Sequence, residues 1–203
     1  MKPAQQPETR HKILAAAEQN FRRFGPKKTS MEEIAETAGL SRATLYLHFA
    51  SKPELYEALL RQVTERFITE IELLVTSDKP APLKFRQLVD LTANTYTANP
   101  LLLAALTEDN DYALTRHAGP VMSDYRTQIL GAIRRILDQG VVEGSVRKID
   151  VDVTAYLLYE LGTQLLVKAL NGSSEYALKT TLDVMDSIVA DGIRFDKKKV
   201  KAT

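Results

Sequence analysis

The chain has 203 residues, 44% hydrophobic and 26% charged, with 27 Lys+Arg against 26 Asp+Glu and a net charge of +1. That length allows one or two domains with a sizeable core, and the near-neutral balance argues against a polyanion-coating surface while leaving room for a local basic face. The absence of cysteine excludes disulfide frameworks, zinc fingers, iron–sulfur clusters and thiol catalysis together.

The opening MKPAQQPETRHK has no apolar core of the secretory kind. The least charged long stretch, Leu91 to Thr107, is broken by Asn94, Asn99 and Pro100 and is too polar to span a bilayer. The expected location is the cytoplasm. Apolar periodicity is helical almost throughout, with no strict alternation and no hairpin signal, so the expected fold class is all-α with about nine helices.

In chain order, the first helix is expected over about Thr9–Phe24, with Ile13, Leu14, Ala17, Phe21 and Phe24 on one stripe and Gly25-Pro26 as its stop. Thr29…Glu32 and Ser30…Glu33 both fit a capping box for a short second helix that buries Met31, Ile34, Ala35 and Ala38. Gly39 ends it, and Ser41 caps a third helix over about Arg42–Phe49, with Leu40 expected in the core between the two. Ser51-Lys52-Pro53-Glu54 is a further capping box and opens a long helix to about Ser77, with proline in the first turn. Helices are then expected over about 83–98, Leu101–Thr107, Pro120–Gln139 with Gly140 as its stop, 151–170 and 175–192. The tail Lys197–Lys201 reads as frayed.

Two short helices joined by Ala38-Gly39-Leu40-Ser41 follow the helix-turn-helix plan, whose second helix can enter a DNA major groove. Leu45 and Phe49 form the buried stripe of that helix, leaving Arg42, Ala43, Thr44, Tyr46 and His48 to project elsewhere. Arg42 suits a guanine edge or a phosphate, and Thr44 a thymine methyl or a phosphate. Tyr46, His48, Lys52 and the helix starts at Ser30 and Ser41 suit backbone phosphates. Bland readings stand beside these: a core hydrogen bond for His48, ring packing for Tyr46, and simple solvation for Lys52 and for the cluster Arg22, Arg23, Lys27 and Lys28. Residues 1–55 hold 9 Lys+Arg and 6 Asp+Glu, hence +3, and the remainder 18 and 20, hence −2. That small asymmetry favours an N-terminal nucleic-acid face.

The stretch from Thr29 to Leu55, with its Ile-Ala, Ala-Gly-Leu-Ser, Thr-Leu-Tyr-x-His-Phe and Ser-Lys-x-x-Leu elements, resembles the N-terminal signature of the TetR-type transcriptional regulators. The likeness is close over about residues 9–60; beyond that it rests on length and helical character. It implies a helix-turn-helix DNA-binding domain, 1–52, and an effector-binding and dimerisation domain, 53–203, that pairs with a second copy through its last two helices. Carried onto matching positions, the family's DNA contacts fall on Thr29, Ser30, Arg42, Ala43, Thr44, Tyr46, His48 and Lys52. Arg42-Ala43 stands where many relatives have a glycine before Thr-Leu-Tyr, so base preference does not transfer.

The last two helices support dimerisation in their own right. Val153, Tyr156, Leu157, Leu158, Leu161, Leu165, Leu166, Val167 and Leu170 surround most of the first of them, and a helix apolar all round must be buried on both sides. The second adds Leu178, Leu182, Met185, Ile188, Val189 and Ile193. Tyr96, Leu103, Tyr125, Gln128 and Tyr159 are the expected effector-pocket residues, with Asn99, Glu108 and Gln164 as further polar positions; an ordinary core or surface role fits each of them singly. A mainly apolar small molecule of unknown identity would suit such a pocket. His11, His48 and His117 lie far apart in sequence, and Asp109, Asp111 and His117 have no ligand spacing, so no metal, cofactor or catalytic site is expected. The leading expectation is a homodimeric repressor released from a palindromic operator by its effector. The alternatives are an effector-independent chromosome-binding protein and a small all-helical enzyme.

Overall fold

A computed structural model describes residues 5–107 and 112–193. Its described residues form nine helices and no β-strand: α1 (Gln5–Phe24), α2 (Met31–Thr37), α3 (Arg42–His48), α4 (Lys52–Val75), α5 (Ala81–Ala98), α6 (Pro100–Ala105), α7 (Tyr112–Glu143), α8 (Val151–Leu170) and α9 (Leu178–Ile193). The all-α expectation holds. Two compact units emerge, one of residues 1–66 and 99–124 and the other of residues 67–98 and 125–203, with α4 and α7 each contributing to both.

In the first unit, Ile13, Ala17 and Phe21 of α1 pack with Met31, Ile34 and Ala35 of α2, Leu45 and Phe49 at α3, and Leu55, Leu59 and Leu60 of α4, all buried. Each of the large side chains among them contributes roughly 1.5–3 kcal/mol when fully removed from water. Phe21 meets Tyr56 edge-on at 6.1 Å between ring centroids. The Tyr56 hydroxyl donates to the Leu101 carbonyl at 3.4 Å. Phe24 departs from its expected place on the buried stripe and is 48% exposed, with the Arg23 guanidinium over its ring.

In the second unit, Phe67 and Ile71 of α4, Leu88 and Tyr96 of α5, Ile129, Ile133 and Ile136 of α7 and Tyr159 and Leu166 of α8 make the core. A buried lysine ties its elements together. Lys84, 3% exposed as a residue, donates its ammonium to the Val75 carbonyl at 2.6 Å and to Gln139 Oε1 at 2.7 Å. The Gln139 amide in turn donates to the Lys79 carbonyl, and Glu143 accepts the Ala81 amide.

The expected α7 is corrected at both ends: Pro120 and Gly140 lie inside a helix of 32 residues. Gly140 is a packing glycine rather than a stop, because a Cβ there would sit 2.5 Å from Val146 Cγ2 and 3.2 Å from Ala81 Cβ. The turn that ends α7 uses Gly144, at φ +71°, a left-handed angle that glycine adopts without strain.

Candidate DNA-binding surface

The α2–α3 turn is a Schellman motif. The Leu40 amide donates to the Ala35 carbonyl at 2.9 Å and the Gly39 amide to the Glu36 carbonyl at 3.0 Å, with Gly39 at φ +65°. Leu40 is half-buried rather than seated in the core, because those backbone bonds already fix the turn. Of the two capping boxes that the sequence allows, Ser30…Glu33 forms. Ser30 Oγ accepts the Glu33 amide, and Glu33 Oε2 takes the Ser30 amide at 2.7 Å and the Ser30 hydroxyl at 2.9 Å. Those bonds hold the Glu33 carboxyl below its ordinary value, the backbone bond most of all.

Thr29 is 2% exposed and donates its hydroxyl inward to the Gly25 carbonyl at 2.9 Å. It holds the loop before α2, and its side chain offers nothing to an outside ligand. Lys52 is also turned inward: its ammonium donates to the carbonyls of Pro26 (2.9 Å), Thr29 (3.0 Å) and Lys27 (3.4 Å). At the start of α4, Ser51 Oγ accepts the Glu54 amide, while the Glu54 carboxylate takes the Ala50 amide.

On α3, Ser41 Oγ accepts the Thr44 amide at 3.1 Å and shares a hydrogen bond with Thr44 Oγ1 at 2.8 Å. Leu45 and Phe49 face inward at 0% and 1% exposure, and the Arg10 guanidinium lies 4.2 Å from the centre of the Phe49 ring. Arg42, Ala43, Tyr46 and Leu47 are exposed. Arg42 reaches Glu32 at 3.5 Å with its side chain 70% exposed, a weak, screened contact. His48 is half-buried, and its Nε2 is buried without a hydrogen-bond partner. Sequence reasoning misses Leu47, because an apolar residue between Tyr46 and His48 reads as core. Only its place about 200° around the helix from Leu45 gives it away.

The basic cluster beside this hairpin is partly engaged, since Arg22 pairs with Glu18 at 2.9 Å; Lys27 and Lys28 are exposed.

Of the five pocket residues, two line one cavity. A space of about 60 Å³ in the second unit is bounded by α5, α7 and α8, with Tyr96, Tyr159, Thr92 and Thr163 among mainly aliphatic neighbours. Tyr125 is not among its lining residues; it packs against Phe67 and donates its hydroxyl to Tyr96 Oη at 2.9 Å. Gln128 is exposed on α7, and Leu103 lies on α6 in the first unit. Burial is the main cause that pushes all three phenols up, Tyr159 to about 12, so they stay neutral. Asn99 precedes α6 and Gln164 is exposed on α8. Glu108, Asp109 and Asp111 lie outside the described residues. Among the described residues no cluster of His, Asp or Glu could hold a metal, and no helix is long and apolar enough to cross a membrane.

The family model for bacterial regulatory proteins of the tetR family matches residues 13–59, the stretch from within α1 through the first third of α4. The chain is 26% identical to the nucleoid occlusion factor SlmA of Marinobacter nauticus over 147 residues, 70% of this chain and 73% of that protein. It is 45% identical to the transcriptional regulator TtgR of Pseudomonas putida over 58 residues, 29% of this chain and 28% of that one. The SmeT–triclosan complex shares the fold at a TM-score of 0.76 and 23% identity, over 94% of this chain and 93% of SmeT.

Proposed function

The chain belongs, through residues 13–59, to the tetR family of bacterial regulatory proteins, and on that premise we propose that it acts as a homodimeric repressor released from a palindromic operator by a small apolar effector. Its division of labour is a DNA-binding domain over 1–52 and an effector-binding and dimerisation domain over 53–203, in the cytoplasm and without catalytic activity. The observation that carries the DNA reading is the capped, outward-facing α3. Its inner side is saturated by Leu45 and Phe49, and its outer side presents Arg42, Ala43, Tyr46 and Leu47. Arg42 serves a base edge or a phosphate, and Tyr46 suits phosphate contact. Ser30, Ser41, Thr44 and His48 sit at the margins, with the hydroxyls of the first three already engaged within the chain. Thr29 and Lys52 hold the loop that sets α2.

Dimerisation is supported by a second apolar face on α8. Ala155, Tyr159, Leu166 and Val167 are buried within the unit, whereas Val153, Leu157, Leu161 and Leu165, each four residues apart, are 40–60% exposed. A stripe of that kind calls for a partner, and a twofold copy would place two α3 helices on one duplex.

The cavity beside Tyr96 and Tyr159 supports effector binding. At about 60 Å³ it is far below the roughly 300–1,000 Å³ of drug-sized sites, so a ligand enters only if α5, α7 and α8 move apart. A ligand that binds the opened state more tightly shifts the population away from the DNA-competent spacing, with a typical coupling of about 1–3 kcal/mol. The same small volume favours a second reading, an effector-independent chromosome-binding protein, in line with the likeness to a nucleoid occlusion factor.

The test is binding of the full chain to duplexes selected from a random pool, with and without a panel of apolar small molecules, in a salt series. The proposal predicts sequence-selective binding that falls steeply with salt and is released by at least one compound. Selective binding released by none, with no thermal shift, favours the second reading. No binding at low salt refutes both.

A further inference from the structure

The centre of the outward side of α3 is apolar. At 3.6 residues per turn, Ala43 and Leu47 point about 160° and 200° away from the buried Leu45, whereas Thr44 and Tyr46 lie about 80° to either side of the outward direction and Arg42 sits in the first turn, about 60° round from Leu45. Leu47 is 77% exposed; among the described large hydrophobic residues only Val142, at 88%, is more so. A lone exposed leucine is ordinary on a protein surface. This one, four residues from exposed Ala43, occupies the middle of the face that meets DNA in the reading above. The carbonyl, amino and ring-nitrogen edges of the bases find no partner in an alkyl side chain. The major groove offers one apolar feature, the C5 methyl of thymine. Thr44, the residue that sequence alone nominates for that methyl, is half-buried and lies about 80° round from the outward direction.

We propose that Leu47, with Ala43 beside it, reads thymine methyl groups at the middle of each half-site and thereby specifies A·T pairs there. Arg42, at the start of the helix, supplies polar contacts to one side of them. The inference rests on the DNA-binding reading and adds to it a specificity that Arg42 and the phosphate contacts do not provide.

Uracil substitution tests it, because replacing thymine by uracil removes the methyl and keeps every hydrogen-bonding edge. A duplex selected for binding to the full chain is resynthesised with each thymine changed singly to uracil, and affinity is measured by fluorescence anisotropy. For the wild type, one or two positions per half-site are expected to weaken binding about fourfold each, the worth of one buried methyl group. Leu47→Ala is expected to bind the thymine and uracil duplexes alike at those positions while still binding DNA. Leu47→Gln serves as a second variant with good helix propensity, and circular dichroism checks that both are folded. Uracil tolerated by the wild type at every position overturns the inference, as does a Leu47→Ala protein that keeps the wild-type thymine preference. A wild type that binds no thymine-containing duplex at low ionic strength fails at the earlier step, and the DNA reading falls together with the inference.

Discussion

Lys52→Met separates two roles for a residue that sequence alone assigns to a phosphate. The ammonium is within 2.9 and 3.0 Å of the Pro26 and Thr29 carbonyls, and within 3.4 Å of Lys27. Only the first two distances are those of good N–H···O bonds. Hydrogen bonds to a charged group contribute about 1.5–3 kcal/mol each, which would sum to about 3–6 kcal/mol. Lys52 is only half-buried, so water takes over part of that interaction, and a loss of about 2–3 kcal/mol is the reasoned value. Methionine keeps most of the aliphatic stem, so removal of the charge is the main perturbation. For a chain of this size 1 kcal/mol moves Tm by about 2–4 °C, and thermal unfolding followed by circular dichroism should show a fall of about 4–12 °C. The phosphate role makes a different prediction: unchanged stability, a uniform fall in DNA affinity, and a log–log salt slope shallower by about 0.9 for each phosphate left unneutralised. Unchanged Tm together with a shallower slope would refute the loop-clamp assignment.

Gly140→Ala gains up to about 1 kcal/mol of helix propensity but drives a methyl against the stiff Val146 side chain. Overpacking costs typically about 1–3 kcal/mol, so the midpoint of urea unfolding should fall, and adding Val146→Ala should recover part of it; a single variant more stable than the parent would contradict the packing. Burial pushes Tyr56 and Tyr159 from 10.0 up to about 12. Their protons are held more tightly in the folded chain than in the unfolded one, so the stability they contribute is whole below pH 10 and is lost as pH rises from 10 towards 12. Tyrosinate absorbance should therefore rise in two stages, the later one with unfolding, and a single titration of all 8 tyrosines near pH 10 without unfolding would contradict it. Leu161, 60% exposed on α8, should tolerate glutamate in the folded chain while the assembly dissociates. Light scattering at micromolar concentration should report a dimer for the parent and a monomer for Leu161→Glu, and a monomeric parent would remove the basis for twofold DNA binding.

The helix-turn-helix is legible in the sequence because its determinants are local. Ser30, Gly39, Ser41 and the Leu45/Phe49 spacing each act within one or two turns, and α8 is bounded at 151–170 by the Asp150 cap and by the change of pattern at Asn171. What escapes the sequence depends on distant partners. Pro120 and Gly140 read as punctuation, yet α7 continues through both, and Gly140 is there because Val146, after the turn, leans on it. Lys84 sits on an amphipathic helix with nothing in its own turn to mark it as buried; its partners are Val75 and Gln139, 9 and 55 residues away. Lys52 and Thr29 look like surface donors until the fold returns them to each other's loop. The pocket is half legible: the aromatic positions Tyr96 and Tyr159 converge, whereas Gln128, one residue before the lining Ile129, and Gln164, one residue after the lining Thr163, face water.

The central claim, that paired α3 helices enter successive major grooves, is tested most directly by guanine N7 methylation protection on a selected operator bound by the full chain. The account predicts two protected patches on one face of the duplex, about 10–10.5 base pairs apart or a multiple of that. A single patch, or none on a duplex that the protein demonstrably binds, would contradict it.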